Sequence, residues 1–504
     1  TQGASSMDGS SGKRVCVIGA GIAGLVTSKV LKEDGFEVVV FEKQPEPGGV
    51  WASSRTYPGL RTNNPRETYA FSDYPYPEST DDFPSAEQVR SYLGSYAEHF
   101  GLRPLIRFST EILSVVGVAN GTGEARTFKV VSRTEGGKTA ETLLFDYVVI
   151  CNGVFSTPKI PRVVGQELFE GTVFHSSRLT DPRAVEGRRV VVVGAGKSAL
   201  DCAAWAAEHG ESCTLVFRSP HWMAPRYFFG RIRFDRMVMT RSAESFLRYH
   251  RMSRCERVLH GPAGPFVRAW WRGYGCLLKR LLKMPPVLTP ELRLPLGFEY
   301  LGVGGEMYKV LDSGKLVLKR AGLSRFTDAD EIELDTGEAV KADVVVFATG
   351  YRLDLSFLEP GLLSQVQRNG QLRLYRHILP PRQSRIGFIG YASSTACQLT
   401  SEVAAHWLSQ CFLGELVLPG AAEMEKEISR VLHWASETFP GRGEGYYIGP
   451  FVAHYLDDLM GDMGLPRRRT GGFFTEYFAP FWPDRYRNVG EERRRARAGK
   501  QPHP

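Results

Sequence analysis

The tightest constraint on this sequence is a pattern used twice, an apolar run that breaks into Gly-x-Gly. It stands at VCVIGAGIAGLV, residues 15–26, and again at VVVVGAGKSALD, residues 190–201. Such a run followed by a glycine turn reads as a buried strand passing into a helix. A second apolar run follows each copy, FEVVVFEK at 36–43 and CTLVFR at 213–218, and completes a βαβ unit. The two turns lie 175 residues apart, so this is one supersecondary unit used twice rather than a short-period repeat.

Residues 14–18 form the first strand, Gly19 to Gly24 the turn, and Leu25 to Glu33 the helix. The second unit has its strand at 188–193 and a helix running through Ala207. FDYVVICNG (145–153), ADVVVFATGY (342–351) and RIGFIG (385–390) read as returning strands, with Pro158 and Pro161 as a rigid connector. Residues 107–148 alternate in short strands and form a small antiparallel layer. A helix is expected from Ser401 to Leu413. From about 440 the pattern loses its period, and EERRRARAGKQPHP reads as a solvated tail. The fold class is α/β, with two Rossmann-like dinucleotide-binding domains.

In a Gly-x-Gly-x-x-Gly turn the first glycine takes the bend, the second admits a pyrophosphate to the backbone, and the third lets helix pack on strand. The free N–H groups of the helix end then hold the phosphates. The candidate binding loops are Gly19, Gly21, Ile22, Ala23 and Gly24 in the first unit, and Gly194, Gly196, Lys197, Ser198, Ala199 and Asp201 in the second. Glu42 follows Gly19 by 23 positions, where a carboxylate accepts hydrogen bonds from a ribose diol. Arg218 follows Gly194 by 24 positions, where a guanidinium holds a 2′-phosphate. The first site therefore suits FAD and the second NADPH.

The 504 residues allow two or three domains, and 42% apolar with 23% charged residues is ordinary for a globular protein. The net charge of +8 is unevenly placed: Arg218 to Lys283 carries +12, leaving −4 elsewhere. This stretch belongs to residues 220–300, where arginines interleave with Trp222, Tyr227, Phe228, Phe229, Trp270 and Trp271. It reads as a partly buried helical insertion, with a peripheral membrane contact or a substrate tunnel as alternatives. No nucleic-acid recognition motif accompanies the charge, so nucleic acid is not an expected partner. Eight cysteines without a CxxC spacing fit reduced thiols and a cytoplasmic location. No apolar run approaches the ~18 residues of a spanning helix. Thr1 to Ser6 read as an added remnant and residues 8–12 as a loose lead-in.

The sequence resembles the flavin-containing monooxygenases, class B flavoproteins related to the Baeyer–Villiger enzymes. The resemblance runs from Lys13 to Gly390 through GAGIAG (19–24), EKQPEPGGVW (42–51), TNNPRE (62–67), FEGTVFH (169–175), GAGKSA (194–199) and FATGY (347–351). Phe169, Gly171 and His175 match the family signature, but Leu179 stands where it has an aromatic residue. That removes the feature that best separates the two subfamilies. His175 reads as a structural link between domains.

The resemblance implies a discontinuous FAD-binding domain (13–165 and 352–445), an NADPH-binding domain (166–351) and a C-terminal extension (446–504). It places Gly49, Val50 and Trp51 along the flavin, adds Thr62, Ile112, Thr349 and Gly350 to the cofactor-binding residues, and makes Asn63 the catalytic residue at the reactive flavin edge, with Asn64 the alternative if the register shifts by one. The implied reaction takes hydride from NADPH to FAD, forms a C4a-(hydro)peroxyflavin with O2, and passes one oxygen to a small-molecule substrate. Oxygenation of an amine or thioether is the preferred reading and Baeyer–Villiger oxidation of a ketone the alternative, since Arg55, Arg61 and Arg66 lie near Asn63 in sequence. A redox-silent dinucleotide-binding scaffold is the reading from another class. A homodimer stays open.

Overall fold

The computed structural model describes residues 12–119, 125–137, 139–296, 298 and 301–498. Strands covered on both faces are apolar throughout, and the two glycine units follow this rule. Val15, Cys16 and Val17 are fully buried, as are Val191 and Val192. Strand β1 (Arg14–Ile18) leads through helix α1 (Ile22–Glu33) to β2 (Glu37–Phe41). After helix α2 (Ala86–His99) come β3 (Ile106–Arg107), an antiparallel layer of β4 (Thr110–Ala119), β5 (Ala125–Thr134) and β6 (Glu141–Phe145), and then β7 (Tyr147–Ile150). The first sheet is parallel, in the order Ile386–Phe388, β7, β1, β2, β3.

The second sheet is also parallel and has five strands, in the order Leu316–Arg320, Ser212–Phe217, Arg189–Val193, Val344–Phe347, Thr172–His175. Its glycine turn opens helix α3 (Lys197–His209). Strand Ile386–Phe388 joins the first sheet only after the whole second sheet has been built, so the first unit is interrupted by the second. The two crossings meet in a short antiparallel ribbon, Thr157–Pro158 against Tyr351–Arg352.

Three expectations need correction. Helix α1 begins at Ile22, not Leu25, because Gly24 is small enough to sit within the first helical turn. The region after 440 is not irregular: it holds helices Val452–Asp462, Phe473–Phe478 and Val489–Ala498. The basic tail is not a solvated run as far as Ala498; residues 499–504 lie outside the described residues. Arg493 is 3% exposed and donates to Asp34 (3.0 Å) and the His406 ring (2.9 Å), which docks the last helix on the first domain. The lead-in through residue 11 also lies outside the described residues.

The insertion is helical, as expected, and its aromatic residues turn mainly inward. In helix Gly264–Leu281, Val267, Trp271, Tyr274 and Leu278 form one buried face, and Trp271 Nε1 donates to Phe246 O at 3.0 Å. The insertion grips the end of TNNPRE and the segment after it, with Arg233 paired to Glu67 at 2.8 Å and Tyr227 Oη donating to Asp82 at 2.6 Å. It is tied to the C-terminal helices through His454, whose ring nitrogens meet Glu244 at 2.8 Å and Glu256 at 2.7 Å. These two carboxylates raise the His454 pKa to about 10.

A pKa above its unfolded value means that the protonated clamp stabilises the fold fully below the ordinary histidine range and is lost as pH rises through about 10. His454→Gln leaves Glu244 buried without its counter-charge and is expected to cost about 3 kcal/mol at neutral pH. Denaturant unfolding of the two proteins at pH 7 and pH 10.5 checks this, because the difference must shrink at the higher pH.

Candidate active site

Backbone crowding shapes the first glycine turn. Gly19 has φ +106°, and a Cβ there would lie 2.6 Å from Cys151 O, at the end of β7. A Cβ on Gly24 would lie 1.8 Å from Gly19 O, so only hydrogen fits where α1 leaves the turn. Gly21 is the helix N-cap and has no side-chain cap, which leaves the N–H groups of the first turn for an anion. Gly49 packs face to face with Gly21, its Cβ position 3.2 Å from Gly21 Cα.

Glu42, 5% exposed, spans this loop: one carboxylate oxygen accepts from Ala20 N at 2.7 Å and the other from Gln44 N at 2.9 Å. Burial pushes its pKa up and these two N–H groups oppose the push. Its first task is thus to hold the turn, and each oxygen keeps a lone pair for a ribose hydroxyl. Ile112 is a core side chain of β4, so only its backbone is available to a ligand.

Beyond the turn, Val50 is exposed, whereas Trp51 is buried and its Nε1 donates to Tyr69 Oη at 3.1 Å. The following strap fixes the register of the two asparagines. Thr62 is buried and donates to Asn64 O at 2.8 Å, and Asn64, also buried, donates through Nδ2 to Thr395 O, just ahead of helix Cys397–Phe412. Asn63 lies exposed between these anchored neighbours. The sequence did not expose the Asn64–Thr395 tie, whose partners are 331 positions apart.

At the second glycine turn, Gly194 has φ +144° and its Cβ would meet Ala348 O at 2.4 Å, the same crowding as at Gly19. Gly196 is different, because a Cβ there meets nothing within 4 Å. Ala199, fully buried, takes the third-glycine place. Gly196 caps α3 without a side-chain hydrogen bond, so this helix end is also open to phosphate. Lys197 and Asp201 form an i,i+4 ion pair, and Tyr57 Oη donates to the same Asp201 oxygen at 3.0 Å. Asp201, expected among the cofactor-binding residues, is thus held by two protein donors on one of its oxygens. Ser198 is half-buried beside them, and Arg218 stands exposed just past Phe217.

Thr349 donates to Lys159 O, and Gly350, φ +82°, has open space at its Cβ position. His175 is buried; its Nδ1 accepts from Ser177 N at 3.1 Å, so Nε2 carries the proton and donates to Gly350 O at 3.0 Å. Burial lowers its pKa and keeps the ring neutral. The histidine thus links strand Thr172–His175 to the crossover turn; it is structural, but both partners lie within residues 166–351, so the link is inside one unit rather than between two.

Two uncapped helix ends, each behind a glycine turn that no side chain fills, fit two dinucleotides. The contrast between neighbouring glycines gives a direct check. Gly194→Ala is expected to destabilise the second domain by about 2 kcal/mol or more, from positive φ and a clash with backbone. Gly196→Ala is expected to keep the thermal midpoint but weaken NADP+ binding at least tenfold, as measured by titration calorimetry.

The flavin-binding monooxygenase-like family model matches residues 12–259 and 304–464. The probable flavin-containing monooxygenase 1 of Arabidopsis thaliana is 30% identical over 552 residues, covering 97% of this chain and 99% of its own length. Among solved structures, the S-allyl-L-cysteine S-oxygenase from Allium sativum superimposes with a TM-score of 0.61 at 20% identity, over 96% of this chain and 93% of that one. The OTEMO complex with FAD and NADP gives a TM-score of 0.65 at 19% identity, over 84% of this chain and 90% of that one. With two dinucleotide folds in one chain and a family match along most of its length, this protein belongs to the flavin-binding monooxygenase-like family and is an FAD- and NADPH-dependent monooxygenase.

Proposed function

We propose that the enzyme oxygenates a soft nucleophile, an amine nitrogen or a thioether sulfur, in a small organic molecule. One atom of O2 goes to the substrate and the other leaves as water, with NADPH giving the two electrons. When bound, FAD supplies the activation of dioxygen. The chain supplies position and the exclusion of water.

The observation that carries this reading over ketone oxidation is the engagement of the nearby arginines. Attack on a ketone needs an oxygen anion, and hence a fixed cation beside it. Arg55 donates to Phe155 O at 2.6 Å and lies over the Tyr351 ring. Arg61 is paired to Asp81 at 2.7 Å, and Arg66 donates to the carbonyls of Glu78 and Thr80. Arg61 is neutralised by Asp81, and Arg55 and Arg66 keep their charge but are anchored on backbone carbonyls, so in this reading none of the three is free to turn its guanidinium onto an oxygen anion. The Allium sativum neighbour, an S-allyl-L-cysteine S-oxygenase, is in keeping with the sulfur branch.

In this reading Gly19, Gly21 and Gly24 admit the FAD pyrophosphate, Gly49, Val50 and Trp51 border the flavin, and Arg218 holds the NADPH 2′-phosphate. Asn63 supplies an amide beside the reacting edge, held there by Thr62 and Asn64. Residues 13–165 and 352–445 make the flavin domain, and 166–351 the nicotinamide domain. Eight free thiols suit a reducing cytoplasm.

Methyl p-tolyl sulfide and a tertiary amine are expected to give sulfoxide and N-oxide in step with NADPH consumption, while cyclohexanone gives no lactone above background. Lactone without sulfoxide or N-oxide, by mass spectrometry, overturns the choice. Asn63→Ala is expected to keep its FAD yet release at least half of the consumed NADPH equivalents as hydrogen peroxide, read by a peroxidase-coupled assay.

A further inference from the structure

The strap between the flavin loop and Asn63 does more than connect. Tyr57 is 7% exposed and sits in the apolar core of the second domain, among side chains of α3 and its sheet. Its hydroxyl reaches Asp201 and Ser198. Two residues on, the Cβ position of Gly59 lies 3.8 Å from the Trp205 ring. Positions 198, 201 and 205 form one stripe of a helix, so the strap from the flavin side lies along α3, the helix whose open end suits the NADPH phosphates.

The charge at that helix end is unusual. Lys197 occupies the first turn of α3, where the helix dipole favours anions and disfavours a cation. Asp201 compensates, but one of its oxygens is shared between Lys197 Nζ and Tyr57 Oη. An arriving phosphate competes with Asp201 for Lys197. When the ammonium turns to the phosphate, Asp201 keeps the Tyr57 hydroxyl as its donor. Without the tyrosine hydroxyl, releasing Lys197 would strand a part-buried carboxylate, which is costly.

We propose that Tyr57 is a positioning residue that couples the nicotinamide site to the strap carrying Asn63: its hydroxyl takes over the Asp201 carboxylate when Lys197 leaves for a dinucleotide phosphate. The hydrogen bond from Tyr57 then becomes the sole strong partner of a full charge and tightens. Cofactor arrival at one domain is thereby transmitted, over six residues of chain, to the asparagine proposed to act in the other. This rests on the reading of α3 as the NADPH-binding helix and adds a residue that the glycine motif does not contain.

The test is a double-mutant cycle read by NADP+ binding to the FAD-loaded protein, using titration calorimetry. Tyr57→Phe keeps the ring in its core place and is expected to weaken NADP+ about tenfold with FAD content and thermal midpoint unchanged. Asp201→Asn frees Lys197 and is expected to bind NADP+ at least as tightly as the parent. In the Asp201→Asn background, Tyr57→Phe is expected to change binding less than twofold. Parent-like binding by Tyr57→Phe, an equal loss in both backgrounds, or loss of FAD from Tyr57→Phe each overturns the coupling. Failure of the parent protein to bind NADP+ overturns the site reading itself, and is thereby distinguished from failure of the coupling alone.

Discussion

Both halves of this molecule rest on one close approach, a strand-end carbonyl pressed against a glycine that has no room for a side chain. Cys151 O meets Gly19 and Ala348 O meets Gly194. In each case the carbonyl belongs to the strand beside the one that feeds the turn, in segments that read CNG and ATG. The contact fixes the bend, the bend aims the helix, and the helix end sets where a phosphate can lie. It is made twice, in two parallel sheets, and leaves an uncapped helix end behind each turn. Interrupting one domain by the other then sets both sites beside the strap that crosses between them.

The parts legible from sequence are those governed by neighbours in the chain. Buried parallel strands announce themselves as unbroken apolar runs, and the glycine turns are set by local sterics, so β1, α1, β2 and their counterparts around Gly194 were readable within a few residues. Glu42 was singled out by spacing alone, and it does lie across the first turn. The less legible parts depend on distant partners. Nothing near Asn64 signals Thr395, and nothing near Tyr57 signals Asp201. The last helix is polar on every side, so periodicity failed there; Arg493 becomes intelligible only with Asp34 opposite it.

Charge was the weakest guide when taken as a sum. The +12 stretch suggested an anionic partner surface, yet many of its arginines are used internally. Arg226 pairs with Glu306, Arg233 with Glu67 and Asp235, and Arg241 with Asp457 and Glu476. Asp235 apart, the balancing acids come from far along the chain, so the local count overstated the field. Asp201 teaches the same lesson on a smaller scale: a residue counted with the cofactor loop proved to be held by protein donors.

The ribbon of Thr157–Pro158 against Tyr351–Arg352 sets how the interrupted architecture can move and how it can be edited. Because the outward and return crossings lie side by side, the backbone enters and leaves the second half at one narrow stem. Any turn about that stem must first release the side chains that tie the halves elsewhere, among them Tyr57 on Asp201, Arg233 on Glu67 and His454 between Glu244 and Glu256. A short loop joining residues 157 and 352 would span neighbouring strands, yet the cut would leave Tyr57 without its core and Glu67, Asp82 and His454 without their partners, so the host is fitted to its guest.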